Sequence, residues 1–223
     1  MMARITEAGY LPFHHFVARF THIVRATSPI ITLAFVFAAC SGGGAVEETV
    51  VNTVQYRYAP TAEMSAVTAS TALGDITVRA PSGWVETMDQ KNAPHIALWL
   101  VKEDYSASIS FSPLQMDPVL YSSLKKTGLR SIAKVSLSMK KDNAHDTVTV
   151  THETEYFRMN DHDFAAYEYT VDGGKTVLRI VVFDTGTRFM ECALLPATAP
   201  ISGKEALRYF ETQQSVLASM VLR

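Results

Sequence analysis

A short stretch with apolar side chains on both faces constrains the fold of this chain most strongly. Residues 177–183 (VLRIVVF) are apolar except at Arg179. In a β-strand, successive side chains point to opposite faces of the sheet, so both faces of such a strand are apolar. Strands of this kind are stable when other layers pack on both sides. We therefore predict that residues 177–183 form a central strand that is covered on both faces.

Turn residues on either side of this stretch predict that its sheet is antiparallel. Residues 147–157 alternate in the manner of a strand, and a turn at residues 160–163 leads into a second strand at residues 164–171. Asp-Gly-Gly at residues 172–174 and Asp-Thr-Gly at residues 184–186 are hairpin signals, and residues 188–195 follow as a further strand. Consecutive strands joined by such turns form an antiparallel meander.

Two helical periodicities predict helices that pack on this sheet. Asp117 and Pro118 are a strong helix start, and apolar residues then recur at spacings of three and four up to Met139, which predicts one helix of about six turns. Residues 202–205 have capping-box spacing and begin a second periodic stretch that runs to Met220. The predicted class is α+β, an antiparallel sheet of about six to seven strands with helices packed on it.

The N-terminal segment is typical of an exported protein. An apolar run at residues 30–37 is followed by Ala38, Ala39 and Cys40, and then by the flexible sequence Ser-Gly-Gly-Gly. This pattern resembles the lipobox of bacterial lipoproteins, with Phe37 where that family usually has leucine. The resemblance implies cleavage before Cys40 and a diacylglyceryl group on its thiol. The alternatives are an ordinary secretory peptide or a buried core helix with a chance cysteine.

These features divide the chain into three parts. Residues 1–39 are predicted to be a lipoprotein-type signal peptide, residues 40–72 a flexible tether, and residues 73–223 the folded domain. Residues 59–72 are rich in Ala, Thr and Ser without a period, so we expect them to be mostly unstructured. No later apolar run reaches the ~20 residues of a membrane-spanning helix. The expected location is the cell envelope, with the lipid on Cys40 as the membrane attachment and the domain facing the periplasm or the cell exterior.

Charge and cysteine content restrict the kind of partner and chemistry. The chain has a formal net charge of −2, and residues 1–39 contain three Arg and one Glu, so residues 40–223 carry −4. This balance argues against a nucleic-acid partner, which needs a concentrated basic face. Cys192 is the second of two cysteines, and we expect it to be a lone buried thiol on a strand. The lipid apart, no cofactor is expected.

A second resemblance concerns the domain. Residues 76–84 (ITVRAPSGW) are similar to the opening strand and Pro-x-Gly-Trp turn of an α/β/α sandwich family. That family includes the photosystem II extrinsic subunit PsbP, a Ran-binding nuclear import factor and small bacterial lipoproteins. The predicted order of strand, hairpin, long helix, meander and closing helix is similar too. The resemblance implies a binding or assembly role, because the members share a scaffold and no catalytic set.

The candidate metal ligands cluster in one region of the sequence. Asp161 and Asp163 flank His162 in a predicted turn, and His152 lies nearby. Histidine and carboxylate groups ligate zinc and other divalent ions, although Asp and Asn are also common in turns for backbone reasons. No HExxH or paired-cysteine spacing accompanies them. Turn chemistry is therefore the favoured interpretation, and these four residues are the candidate ligands should the region bind a divalent metal.

No sequence motif indicates catalysis. The chain has no Gly-x-Ser-x-Gly elbow, and Gly174-Lys175-Thr176 lacks the earlier glycine of a phosphate-binding loop. We expect a non-enzymatic, lipid-anchored envelope protein that binds another envelope or membrane protein or supports an assembly. The alternative is an envelope lipoprotein that binds a small ligand or a divalent metal.

Overall fold

The computed structural model describes residues 55–56, 61–87, 91, 93–143, 148–196 and 203–223, which form strands and helices in three layers. The helices are α1 (Pro118–Lys125), α2 (Leu129–Asn143) and α3 (Gly203–Ala218). The strands are β1 (Gln55–Tyr56), β2 (Met64–Ser70), β3 (Ile76–Pro81), β4 (Trp84–Thr87), β5 (Leu98–Lys102), β6 (Ala107–Pro113), β7 (Thr149–Met159), β8 (His162–Val171), β9 (Thr176–Asp184), β10 (Phe189–Pro196) and β11 (Val221–Leu222).

The large sheet is built around the predicted central strand. Its order is β1-β7-β8-β9-β10-β6-β5-β4, and every neighbouring pair is antiparallel except β1 with β7. Strand β9 pairs with β8 on one side and with β10 on the other. The expected meander of β7 to β10 and the central position of residues 177–183 are confirmed.

Layers cover both faces of this sheet. Helix α2 packs on one face over alternate residues of β8 and β9, among them Tyr167, Ile180 and Val182. The opposite face packs against α3 and a second sheet, in the order β11-β3-β2. Phe111, Phe164 and Phe183 are fully buried in this second core. The predicted α+β class is confirmed, with helices on both faces as in an α/β/α sandwich.

The second sheet corrects the predicted boundary of the folded domain. Residues 59–72 were expected to be mostly unstructured as part of a tether at residues 40–72, but Met64–Ser70 is strand β2 and pairs with β3. Its apolar period is weak because most of the strand is exposed and only Ala69 is buried. The prediction is wrong for this stretch, since backbone pairing at a sheet edge needs no apolar pattern.

The first predicted helix is also corrected. A single helix of six turns was expected, whereas α1 ends at Lys125 and α2 begins at Leu129. Gly128 has a backbone φ of 78°, a left-handed conformation that interrupts a right-handed helix. The start at Asp117 is confirmed, because its side chain accepts a hydrogen bond from the Leu120 N–H at 2.8 Å. The apolar spacing continued across the break, so periodicity alone did not reveal it.

Several predictions lie outside the described residues. These are the signal peptide at residues 1–39, the lipidation of Cys40, the part of the tether before residue 55 and the cap at Ser202. Among the helices that the structure describes, none combines the length and the apolar character needed to cross a bilayer.

Candidate functional site

Two clefts open at one end of the large sheet. The turns between β7 and β8 and between β9 and β10 lie at this end, together with the end of β6. Arg188 lines one cleft and the next residue, Phe189, lines the other. The β9–β10 turn therefore separates two concave surfaces, which we call the Arg188 cleft and the Asp184 cleft.

The Arg188 cleft is mostly apolar and has one firmly held guanidinium. Its volume is about 420 Å³, and its lining residues are Thr71, Ala72, Leu73, Pro94, His95, Ile96, Ala97, Pro113 and Arg188. Arg188 Nη2 lies 2.7 Å from Asp75 Oδ2, and Thr71 Oγ1 donates to the other carboxylate oxygen at 2.5 Å. Burial lowers the pKa of His95, and the positive charge of Lys140 lowers it further, so this imidazole is neutral at pH 7. The cleft thus offers apolar walls, a fixed cation and a neutral imidazole.

The Asp184 cleft has a more polar wall that joins α1 to the β9–β10 turn. Its volume is about 400 Å³. Tyr121 OH donates to Asp184 Oδ1 at 2.9 Å, and Lys125 Nζ donates to Tyr121 OH and to the Gly186 carbonyl, each at 3.2 Å. Lys125 Nζ also lies 3.4 Å from Asp184 Oδ2. These charged groups hold the helix against the sheet end.

Three of the four predicted metal ligands line this cleft without forming a metal site. Asp161, His162 and Asp163 all lie on its wall. His162 and Asp163 are consecutive in β8, so their side chains point to opposite faces of the strand. Asp163 Oδ1 instead lies 3.7 Å from Arg158 Nε. The described residues contain no group of three His, Cys, Asp or Glu side chains arranged to hold a metal ion.

The fourth predicted ligand lies elsewhere. His152 lies seven positions before Met159, the last residue of β7 before the β7–β8 turn. Seven residues of strand span roughly 20 Å. Its Nε2 lies 3.6 Å from Glu155 Oε2. The four residues therefore do not converge. The turn chemistry explains Asn160 and Asp161, whose φ angles of 49° and 64° are those of a tight hairpin turn.

Arg179, the exception in the apolar central strand, is the centre of a buried charged cluster. Its side chain is 4% exposed and lies 3.1 Å from Glu155 and 3.7 Å from Glu168. Its guanidinium carbon stands 6.0 Å from the ring centroid of Phe157 and 5.7 Å from that of Phe210. We call these five residues the Arg179 cluster. The cluster connects α3 with β7, β8 and β9, so the charge of Arg179 helps to hold these elements together.

A second buried polar cluster lies on the opposite face of the sheet. Glu191 accepts hydrogen bonds from Ser136 Oγ at 2.5 Å and from Lys140 Nζ at 2.7 Å. The Ser136 hydroxyl also contacts Tyr167 OH at 2.6 Å. Burial raises the pKa of Tyr167, and the charge of Glu191 raises it further. This Glu191 cluster joins α2 to β8 and β10, and its serine is fully buried.

Cys192 is a buried structural thiol, as predicted. It is fully buried on β10, and its burial raises the pKa of the thiol to about 12. Because the thiolate is the nucleophilic form, this side chain is inert at neutral pH. The side-chain amide of Gln213 donates to the Cys192 carbonyl at 2.9 Å and ties α3 to the strand.

Sequence reasoning missed Arg188, His95 and both buried clusters. A signal existed for one of them, because a lone arginine in an otherwise apolar central strand requires carboxylate partners on neighbouring strands. Glu191 gave the same kind of signal in the apolar strand β10. Arg188 and His95 lie in connecting segments, where a single sequence gives no indication of which residues meet.

Comparison with known proteins supports the fold. No protein-family model matches the chain, and no curated protein matches it. Among solved structures, the chain is similar to cyanobacterial PsbP (CyanoP) from Synechocystis sp. PCC 6803, with a TM-score of 0.53 and 11% sequence identity over 74% of this chain and 100% of that chain. A protein from Bacteroides thetaiotaomicron matches with a TM-score of 0.31 and 16% identity over 67% of this chain and 46% of that chain, a score too low to indicate a shared fold.

The architecture defines the molecule as an α+β sandwich. The match to the cyanobacterial protein makes this a PsbP-like fold, as the resemblance of residues 76–84 implied. At 11% identity the likeness concerns the fold alone.

Proposed function

We propose that this protein is a lipid-anchored protein of the cell envelope, without catalytic activity, that binds another envelope or membrane protein or supports an assembly. The observation that carries the proposal is the sequence of residues 30–44, where an apolar run and two alanines precede Cys40 and a glycine-rich linker. Two or three acyl chains on such a cysteine give stable membrane attachment. In this proposal the PsbP-like domain is held at the membrane surface, where it binds its partner protein.

The sheet end supports a binding role. Its charged side chains are engaged in holding elements together, as with Arg188 and Asp75 or Lys125 and Asp184. Leu73 lines the Arg188 cleft and is 74% exposed, so a partner that enters the cleft would contact this side chain. A concave surface with mostly apolar walls and a few fixed polar groups is the usual form of a binding site.

The anchor is tested with the Cys40→Ser variant in a bacterial host. Wild-type protein is expected to incorporate labelled fatty acid and to enter the detergent phase, while the variant is released or stays unprocessed. A matched Cys192→Ser variant is expected to behave as wild type, because that thiol is buried in the domain. Equal membrane attachment of Cys40→Ser and wild type in fractionation and detergent partitioning would contradict the anchor.

The binding surface is tested by site-specific photocrosslinking in native membranes. A photoreactive residue at position 73 is expected to give a discrete adduct with one envelope protein. The same residue at position 207 is the control, since Leu207 is 59% exposed on α3, away from the cleft residues. Adducts of the same size and yield from both positions would show random collision and refute a specific contact.

A second candidate function is small-ligand binding in the Arg188 cleft. Its volume of about 420 Å³ is within the ~300–1,000 Å³ typical of ligand sites. A fixed guanidinium beside apolar walls suits a small carboxylate with an apolar group. Calorimetric titration with such carboxylates tests this candidate, and titration with zinc, calcium and manganese tests the metal alternative. If neither titration series produced heat, both the carboxylate site and the metal site would be excluded.

A further inference from the structure

The layer formed by α1 and α2 is rich in basic side chains. Residues 118–141 contain six Lys or Arg and no Asp or Glu. Because the whole chain has a formal net charge of −2, the remaining residues together carry −8. This layer thus has a net positive charge, whereas the rest of the chain is net acidic.

Four of these six cations are free to interact with a partner. Ion pairs hold Lys125 to Asp184 and Lys140 to Glu191. The other four are exposed and take part in none of the ion pairs found among the described residues: Lys126, Arg130, Lys134 and Lys141. At about 100° per residue, those at positions 130, 134 and 141 fall within about 40° of one another around α2. These three cations share one side of α2, and Lys126 precedes them at the end of α1.

Exposed apolar side chains accompany this surface. Val119 is 80% exposed and Leu120 is 44% exposed, both in the first turn of α1, and no residue of α1 is fully buried. Val119 and Lys126 are seven positions apart, which places them on the same side of the helix. Surfaces that combine Lys and Arg with exposed apolar residues are typical of proteins that lie on the interface of an anionic membrane.

The position of the proposed anchor places this layer within reach of a bilayer. Fourteen residues, 41–54, separate Cys40 from Gln55, so the fully extended connection spans at most about 50 Å. Strand β1 pairs with β7 next to the β7–β8 turn, and α1 contacts the β9–β10 turn at the same end of the sheet. A short connection keeps the effective concentration of the domain at the surface high.

We propose that the outer surface of α1 and α2 binds the anionic head groups of the membrane and fixes the orientation of the anchored domain. This inference rests on the proposed anchoring, but its test does not require a lipidated cysteine. The cations at the sheet end are paired with carboxylates, Arg188 with Asp75 and Lys125 with Asp184. Those on the outer side of α2 form no ion pair among the described residues, so the helical layer and not the sheet end meets the bilayer. The acyl chains limit the distance between the domain and the bilayer, and the cations determine which face of the domain meets the lipid.

The experiment uses the full chain with Cys40→Ser and vesicles of two compositions. One is pure phosphatidylcholine, and the other contains equal parts of phosphatidylcholine and phosphatidylglycerol. The protein is expected to prefer the anionic vesicles, and K126Q/R130Q/K134Q is expected to lower that preference at least about tenfold. The matched control is K91Q/K175Q/R208Q, which removes three exposed cations outside α1 and α2 and should leave the preference within about twofold.

Other outcomes would overturn the inference. These are an equal loss in both triple variants, an unchanged preference in the first, or binding that high salt does not reduce. Vesicle binding that is unaffected while binding to an acidic protein is weakened would assign the surface to a protein partner. Circular dichroism and urea denaturation confirm that the variants fold. Failure of the anchor would instead appear as unaltered membrane attachment of Cys40→Ser in cells, without affecting the vesicle result.

Discussion

The Arg179 cluster allows a sharp test of how a charge is kept inside this fold. The double variant Glu155→Gln/Glu168→Gln removes both carboxylates and leaves the guanidinium, which is 4% exposed, without an opposite charge. Breaking a fully buried pair costs about 3–5 kcal/mol. Because Glu155 is 44% exposed and Glu168 is 25% exposed, part of that electrostatic energy is already screened by water. We expect a loss of about 2–3 kcal/mol in the free energy of unfolding.

Removal of the cation itself is expected to be milder. Arg179→Met keeps an apolar stem between the rings of Phe157 and Phe210 and leaves the two carboxylates with access to water. The loss of the cation–π contacts and of the ion pairs amounts to about 1 kcal/mol. The order of stability is therefore wild type, then Arg179→Met, then the double glutamine variant.

Urea denaturation at neutral pH, followed by circular dichroism, measures this order. The triple variant that combines all three substitutions provides the control, because it has no unpaired charge. It should be about as stable as Arg179→Met and more stable than the double variant. A double glutamine variant at least as stable as Arg179→Met would refute the reasoning, since Arg179 would then need no carboxylate partner.

Four further predictions concern single positions. Glu191→Ala removes the carboxylate that accepts from the buried Ser136 hydroxyl and from the half-buried Lys140 ammonium group, and should cost about 3 kcal/mol in urea denaturation. Gly128→Ala forces a side chain into the left-handed region at φ 78° and should cost about 1–2 kcal/mol, although the site has room for the methyl group. Cys192 should react with iodoacetamide at pH 8 only as fast as the protein unfolds, because its pKa of about 12 leaves almost no thiolate. Hydrogen bonds from Lys102 and then from Ser106 lower the pKa of Asp104 to about 2, so its carboxyl carbon should titrate near there by NMR. The stabilisation from Asp104 is therefore present above the ordinary pKa of 3.8 and is lost as the pH falls towards 2.

Matched variants separate these effects from general damage. Lys134→Ala on the exposed side of α2 should change stability by less than about 0.5 kcal/mol, in contrast to Glu191→Ala. If Gly128→Ala stabilised the protein, the break between α1 and α2 would not depend on a left-handed residue. Rapid stoichiometric alkylation of Cys192 in the native state would show that the thiol is accessible. Lys102→Met should raise the pKa of Asp104 towards 3.8, and an unchanged titration would exclude the hydrogen bond as the cause.

The architecture was predictable where local chemistry and burial agree. The apolar faces of residues 177–183 and the hairpin residues at 172–174 and 184–186 determined a central strand in a meander, and the structure has both. The break at Gly128 was not predictable from periodicity, because a short interruption left Leu124 and Ile132 at helical spacing. Strand β2 was missed because pairing at a sheet edge depends on backbone groups that every residue carries.

The candidate site was less predictable, for a different reason. Sequence proximity suggested that His152, Asp161, His162 and Asp163 form one site, but alternation along β8 and the length of β7 separate them. Conversely, Arg188 and His95 line the same cleft although they are 93 positions apart in the sequence. Their meeting depends on sheet order, which no local pattern contains.

The pairing of β3 with β11 has a consequence for folding during synthesis. Thr77 is the register partner of Val221, which lies 144 positions later in the chain. At ~5–20 residues per second, β3 is made roughly 7–30 seconds before β11 and before most of α3, which covers it. Over that interval Ile76 and Val78, which are buried in the finished domain, lack part of their core. Pairings this distant in sequence also slow folding after release. The nascent chain therefore passes through an interval of aggregation risk, during which a holding chaperone would shield the exposed strand.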